Sequence, residues 1–157
     1  MNNPKSISLI FPLYRDKYTV KKVIDKSLKI LKKLKIKYEI IIVDDCCPEK
    51  SGLVALKYSK RNPKIKVIFH KKNYGYGAAI RSGFKNSRYE CVYAVDGDGE
   101  FGIALNDLPR VLKKYIFFGC EMAAGASFLK KNLLCWPCAG RRRFFLVKIT
   151  SREKTCF

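Results

Sequence analysis

The amino-acid sequence predicts an α/β domain with a mainly parallel central sheet flanked by helices. Three observations carry the prediction. Short apolar runs alternate with segments of helical periodicity. The runs are short and rich in β-branched residues, as buried strands are. Two of them stop abruptly at acidic residues, Asp44-Asp45 and Asp96. In parallel sheets ligands bind outside the carboxyl ends of the strands, so both acidic clusters are expected to face one crevice.

Ile7 to Phe11 reads as the first buried strand, closed by Pro12 and a polar loop. From Tyr18 to about Leu34 the apolar positions Val20, Val23, Ile24, Leu28, Leu31 and Leu34 recur every three or four residues, with lysines between them, which predicts an amphipathic helix. Glu39 to Val43 is a second strand, Ser51 to Lys60 a helix and Ile65 to Phe69 a strand. Gly77 to Asn86 then reads as a helix, Cys91 to Val95 as a fourth strand and Leu105 to Tyr115 as a last helix. After Phe117 the alternation stops. Residues 1–117 are therefore read as the binding domain. Residues 118–157 are read as an atypical segment: one more helix-strand unit, a truncated remnant, or the start of an acceptor region.

A chain of 157 residues with 48% hydrophobic residues suits one domain with a sizeable core. The formal net charge of +20 favours a polyanionic partner, whether phosphate, nucleic acid or an anionic membrane, unless it reflects a surface solvated by lysine. No opening stretch has the form of a signal peptide, and no window reaches the roughly 18 apolar residues of a membrane span. Seven cysteines, an odd number, suit reduced thiols in a cytoplasmic protein better than a disulfide framework.

Three segments bear chemistry. Asp96-Gly97-Asp98-Gly99-Glu100 places three carboxylates at a strand end, where they can converge on Mg2+ or Mn2+, hard cations that prefer oxygen ligands; Asp-Gly is equally a hairpin signal. Asp44-Asp45 can accept hydrogen bonds from a nucleobase or a ribose, or can cap a helix. In Asn73-Tyr74-Gly75-Tyr76-Gly77, glycines before a helix let backbone N–H groups approach a phosphate, with Arg81 beyond to contact a diphosphate; tight helix packing is the alternative.

Taken in order, these segments resemble family 2 glycosyltransferases of the GT-A fold. The matching elements are Pro12-Leu13-Tyr14, a hydrophobic strand into Asp44-Asp45, Asn73-x-Gly75-x-Gly77-x-Ala79, and a strand into Asp96-x-Asp98. They span residues 7 to about 112. The run Gly75 to Phe84 with Asp96 to Phe101 looks most like the polyprenyl-phosphate, dolichol-phosphate mannose synthase-like group.

The resemblance implies a metal-dependent, inverting transfer from a GDP- or UDP-sugar donor to a lipid phosphate at the cytoplasmic face of a membrane. Pro12, Tyr14 and Asp45 would line the nucleoside pocket, with Asp44 supporting them. Gly75, Gly77 and Arg81 would lie near the diphosphate or the sugar. Asp96, Asp98 and Glu100 would hold the metal, with Asp98 and Arg81 nearest the chemistry. One departure stands out: relatives commonly have Gly-Ser after Asp-Asp, where this chain has Cys46-Cys47.

Other readings rank lower. A truncated, inactive donor-binding remnant fits the short tail, and a nucleic-acid module fits the charge but leaves both acidic strand ends unexplained, so no nucleic acid is expected. Cys135-x-x-Cys138 lacks a second pair for a zinc site. His70, the single histidine, reads as structural. The triplet Arg141-Arg142-Arg143 beside Phe144, Phe145 and Leu146 is the expected contact with an anionic membrane.

Overall fold

The computed structural model describes residues 5–89, 91–95, 105, 106, 108, 109 and 112, and the backbone of 144–147. Its sheet comprises β1 (Ser6–Leu13), β2 (Lys37–Asp44), β3 (Ile65–Phe69), β4 (Cys91–Ala94) and β5 (Phe144–Val147). The helices are α1 (Val20–Leu34), α2 (Ser51–Ser59) and α3 (Tyr76–Lys85). Strand order is β3-β2-β1-β4-β5, and every adjacent pair is parallel. The expected α/β architecture is the one found. The chain therefore builds leftward from β1 through β2 to β3, then crosses back to lay β4 on the other side of β1. That reversal puts the topological switch point between β1 and β4, where open sheets of this class open a crevice at the carboxyl ends.

The two faces of the sheet are covered differently. On one, Ile7, Leu9, Phe11, Ile40 and Ile42 pack with Val20, Ile24 and Leu31 of α1 and Ala55 of α2. Leu105, Leu108 and Leu112, spaced three and four apart and helical, join the same core, in line with the expected last helix. On the other face, Ile10, Ile41, Val43, Val92 and Ala94 pack against Ala79, Ile80 and Phe84 of α3. Gly83 is what lets α3 come this close, because a Cβ there would collide with the Ile10 side chain.

The first strand runs two residues further than its apolar pattern suggests, through Pro12. Ile10 O accepts from Val95 N–H on the β4 side, and Leu13 O from Asp45 N–H on the β2 side. By the two-residue alternation of a strand, Pro12 turns its nitrogen to the β4 side, beyond the last pair, Ile10 with Ala94. Its missing N–H therefore removes no ladder bond.

Helix α1 starts at Val20 rather than Tyr18, because Asp16 O accepts from both Thr19 N–H and Val20 N–H and closes the preceding turn. Ser27 is fully buried on its apolar face and satisfies its hydroxyl by donating to Val23 O at 2.6 Å. Glu39, on β2, is also buried. It accepts from Ser8 Oγ at 2.6 Å and from the Arg88 amide, while Tyr89 N–H donates to Ser8 Oγ. This network ties the α3–β4 connection across the sheet. Neither buried group is visible in the apolar periodicity.

The expected membrane contact lies mostly outside the described residues. Phe144 to Leu146 belong to β5, in register with Cys91 to Tyr93, so their backbone is committed to the sheet. Arg141 to Arg143 and the Cys135/Cys138 pair lie outside the described residues. Among the described residues, no helix is long and apolar enough to cross a membrane.

Candidate functional site

The carboxyl ends of β1, β2 and β3 lie side by side, and each delivers a polar segment to one rim. From β1 come Pro12, buried opposite Val43, and Tyr14, which is half-exposed. Tyr14 N–H donates to Asp16 Oδ2 at 3.0 Å, and the Arg15 guanidinium sits 5.5 Å from the Tyr14 ring centroid.

From β2 come the paired aspartates, both nearly fully buried yet with separate tasks. Asp44 turns inward to the β2–α2 connection, accepting from Cys47 N–H at 2.7 Å and Gly52 N–H at 2.6 Å. Gly52 is the second residue of α2, so Asp44 satisfies a helix-start amide from eight residues away. A side chain at Gly52 would strike the Asp44 carboxylate and Phe69. Asp45 turns the other way. Its Oδ1 accepts from Tyr74 N–H at 3.0 Å and its Oδ2 from Gly75 N–H at 2.7 Å. Its Oδ1 also lies 2.6 Å from His70 Nδ1. Two adjacent acids tolerate each other because each carboxylate is matched by its own donors.

From β3 comes the glycine loop. Gly75 has φ +85°, a conformation that excludes most side chains, and it caps α3. Its N–H is also held by Asn73 Oδ1 at 2.8 Å. Among the described residues no atom would meet a Cβ at Gly75 or at Gly77, and both glycines are exposed. Gly77, in the first turn of α3, has no helical carbonyl to receive its N–H. Arg81 is exposed on α3, about 7.5 Å along the axis from the first helical residue.

The departure at Cys46-Cys47 has a physical account. Cys46 has φ +56°, the left-handed backbone for which glycine is the easy residue. Cys47 Sγ accepts from Arg15 N–H at 3.1 Å and lies 3.0 Å from Ser51 Oγ, contacts that a hydroxyl in its place would also make. Burial pushes the Cys47 thiol up, but the Ser51 hydroxyl and the amides of Ser51, Arg15 and Glu49 bring it below its ordinary value.

The sequence-predicted residues thus fall into three groups. Asp45 and Gly75 are joined directly by a hydrogen bond, with Gly77 in the helix turn that follows and Tyr14 just after the end of the neighbouring strand. Asp44 and Pro12 lie beneath the rim, and Arg81 stands on the helix that leads away. Asp96, Asp98 and Glu100 lie outside the described residues; Val95, bonded to Ile10 O, is the last described residue before them. Among the described residues no three His, Cys, Asp or Glu side chains gather as a metal group. Sequence reasoning missed the linkage of His70, whose Nε2 lies 2.8 Å from Ser82 Oγ. Its partners stand 25 and 12 residues away, a separation that leaves no local signal.

Comparison with known proteins shows the family and the fold. The family model for glycosyl transferase family 2 matches residues 8–146. A dolichyl-phosphate beta-glucosyltransferase of Trichomonas vaginalis is 36% identical over 115 residues, covering 70% of this chain and 35% of the relative. The human dolichyl-phosphate beta-glucosyltransferase is 34% identical over 102 residues, covering 60% and 32%. The chain spans about a third of the length of these curated relatives. In fold it is similar to S. aureus TarS residues 1–349, solved in complex with UDP-GlcNAc, with a TM-score of 0.56 at 20% identity, over 83% of this chain and 37% of that one.

Proposed function

The chain belongs to glycosyltransferase family 2 and has its GT-A fold, and from that membership we propose that it binds a nucleotide-sugar donor at this rim and transfers the sugar to a lipid phosphate. The observation that carries the reading is the Asp45 clamp. One buried carboxylate at the end of β2 fixes the amides that open the glycine loop, and among the described residues that loop presents an exposed backbone surface before a helix start. Such a surface suits a diphosphate. The half-exposed Tyr14, on the adjacent strand end, supplies an aromatic face for the base.

Asp96, Asp98 and Glu100 follow β4 in sequence. Three carboxylates form a hard-oxygen donor set that fits Mg2+ or Mn2+. The ion, when bound, would neutralise charge on the donor phosphates. The chain's own residues do the rest: the glycine loop and Arg81 bind and orient the diphosphate, and Tyr14 and Asp45 set the nucleoside end. A lipid phosphate is already ionised, so attack at the anomeric carbon, with inversion and departure of the nucleoside diphosphate, needs no strong general base.

Relatives named for dolichyl-phosphate glucosyl transfer support a lipid-phosphate acceptor. Peripheral contact with an anionic membrane at its cytoplasmic face accords with the +20 charge and with exposed Lys21, Lys22, Lys29, Lys32 and Lys33 on α1. The test is transfer itself. Labelled GDP-mannose, UDP-glucose and UDP-N-acetylglucosamine are offered in turn, with Mn2+ and dolichyl phosphate in vesicles. One donor is expected to label the lipid; no label from any of them contradicts the transfer.

A further inference from the structure

We propose that His70 is the positioning residue of the glycine loop, joining Asp45, the loop amides and α3 into one rigid unit. The inference rests on the donor reading for its purpose, because holding this loop matters to function only if phosphate docks on it. His70 is itself pinned first. It follows β3 directly, and its backbone N–H donates to Asp44 O at 2.9 Å, extending the pairing with β2. Its imidazole is mostly buried, and the Tyr74 ring closes on it edge-on, at 5.3 Å between centroids and 86° between planes.

The two ring nitrogens then reach in different directions. Nδ1 lies 2.6 Å from Asp45 Oδ1, and Nε2 lies 2.8 Å from Ser82 Oγ on α3. A carboxylate only accepts, so Nδ1 carries the hydrogen and donates to Asp45. Nε2 accepts from the Ser82 hydroxyl when the ring is neutral and donates to it when the ring is charged, so both states keep both bonds. The same Asp45 carboxylate receives Tyr74 N–H and Gly75 N–H. One planar side chain therefore spans from the carboxylate that sets the start of the loop to the helix that ends it.

The need for such a brace is local. Gly75 takes a left-handed φ of +85°, and among the described residues Tyr74 to Gly77 are all exposed. A glycine-rich segment left to itself loses much conformational freedom on docking a ligand, and prior immobilisation reduces that cost. Asp45 alone fixes two amides but could rotate about its own side-chain bonds. His70 fixes the carboxylate and, through Ser82, the direction in which α3 leaves. The local turn in which Asn73 Oδ1 accepts from Gly75 N–H holds one of these amides, but His70 is what carries the connection to Ser82 on α3.

The test compares the wild-type chain with His70→Ala, His70→Asn and Ser82→Ala. Asn keeps a donor at the Nδ1 position, and Ser82→Ala removes only the helix end of the brace. The first readout is hydrogen exchange of the Tyr74 and Gly75 amides without ligand. His70→Ala should speed both at least tenfold while Ile41 in the sheet is unchanged, Asn should recover most of the protection, and Ser82→Ala should fall between. The second is affinity for UDP and GDP with Mn2+, expected to drop about tenfold in His70→Ala and to return with Asn. Unchanged protection in His70→Ala overturns the brace, as does lost protection beside unchanged affinity. If His70→Ala does not fold, Ser82→Ala decides by the same two readouts, and wild-type exchange at both amides in that variant overturns the proposal. A wild-type chain that binds neither nucleotide sinks the donor reading instead, and is told apart because exchange is read without ligand.

Discussion

The carboxylate of Asp45 and the imidazole of His70 meet at 2.6 Å across the ends of two adjacent strands, β2 and β3. Asp45 thereby differs from its neighbour Asp44, whose carboxylate, among the described residues, accepts from Cys47 N–H and Gly52 N–H at the start of α2. The two acids are adjacent in sequence and divergent in task, and substitution separates them. Asp44→Ala leaves two buried amides, of Cys47 and Gly52, without acceptors. It should destabilise the fold by about 3 kcal/mol, from roughly 1–3 kcal/mol per orphaned group. Asp45→Ala should instead weaken UDP or GDP binding by at least tenfold, with a smaller loss of stability. Urea unfolding paired with calorimetric titration checks both. A larger stability loss from Asp45→Ala with unchanged affinity would return Asp45 to a purely structural role.

Cys46 sits in a left-handed conformation that costs a non-glycine residue roughly 1 kcal/mol. Cys46→Gly should therefore stabilise the chain by about 0.5 kcal/mol once the greater freedom of glycine in the unfolded chain is counted. Cys47→Ser should be near neutral, because a hydroxyl can keep the contacts with Arg15 N–H and Ser51 Oγ. Cys47→Ala loses them and should cost about 1–2 kcal/mol. Urea midpoints of the three variants decide the order.

Burial pushes the Cys91 thiol up to about 12 from an ordinary 9.0. The unfolded chain releases that proton first, so the stabilising contribution is whole below pH 9 and declines as pH rises toward 12. Wild-type stability should fall more steeply over that window than that of Cys91→Val, in which the thiol is gone. Parallel curves for the two proteins would contradict the assignment. At pH 8 an alkylating agent should modify the exposed Cys46 well before Cys91, read by peptide mass mapping.

Close approach of α3 to β1 depends on Gly83 facing Ile10. Gly83→Ala should destabilise by about 1–3 kcal/mol, the usual range for overpacking. Ile10→Val removes part of the obstruction and should recover some of that loss in the double variant, a coupling that a thermodynamic cycle measures. Additive losses would mean that the helix shifts as a body instead.

The alternating architecture was legible because β1, β2 and β4 are buried on both faces and so read as nearly continuous apolar runs, as at Ile40 to Val43 and Cys91 to Val95. Element ends were less so. Pro12 lies inside β1 because its nitrogen faces the side where pairing has already stopped, a fact of sheet order rather than of local sequence. The aspartate pair stood out as chemistry, but its division of labour did not. Asp45 reaches partners 25, 29 and 30 residues away, brought near only by the β2–β3 register. Ser8 with Glu39 was invisible for the same reason: the two become neighbours through the β1–β2 register, and a buried glutamate inside an apolar run carries no periodic signal.

The central claim is that donor binding at this rim depends on a divalent cation held by the carboxylates that follow β4. Asp98→Asn preserves shape and removes one negative ligand, so it tests that claim most directly. Calorimetric titration of GDP-mannose, UDP-glucose and UDP-N-acetylglucosamine into wild type and Asp98→Asn, with and without Mn2+, is the measurement. At least one donor should bind wild type more tightly with Mn2+, and Asp98→Asn should lose at least tenfold of that affinity, about 1.4 kcal/mol. Equal affinity of the two proteins in the presence of Mn2+ would contradict it.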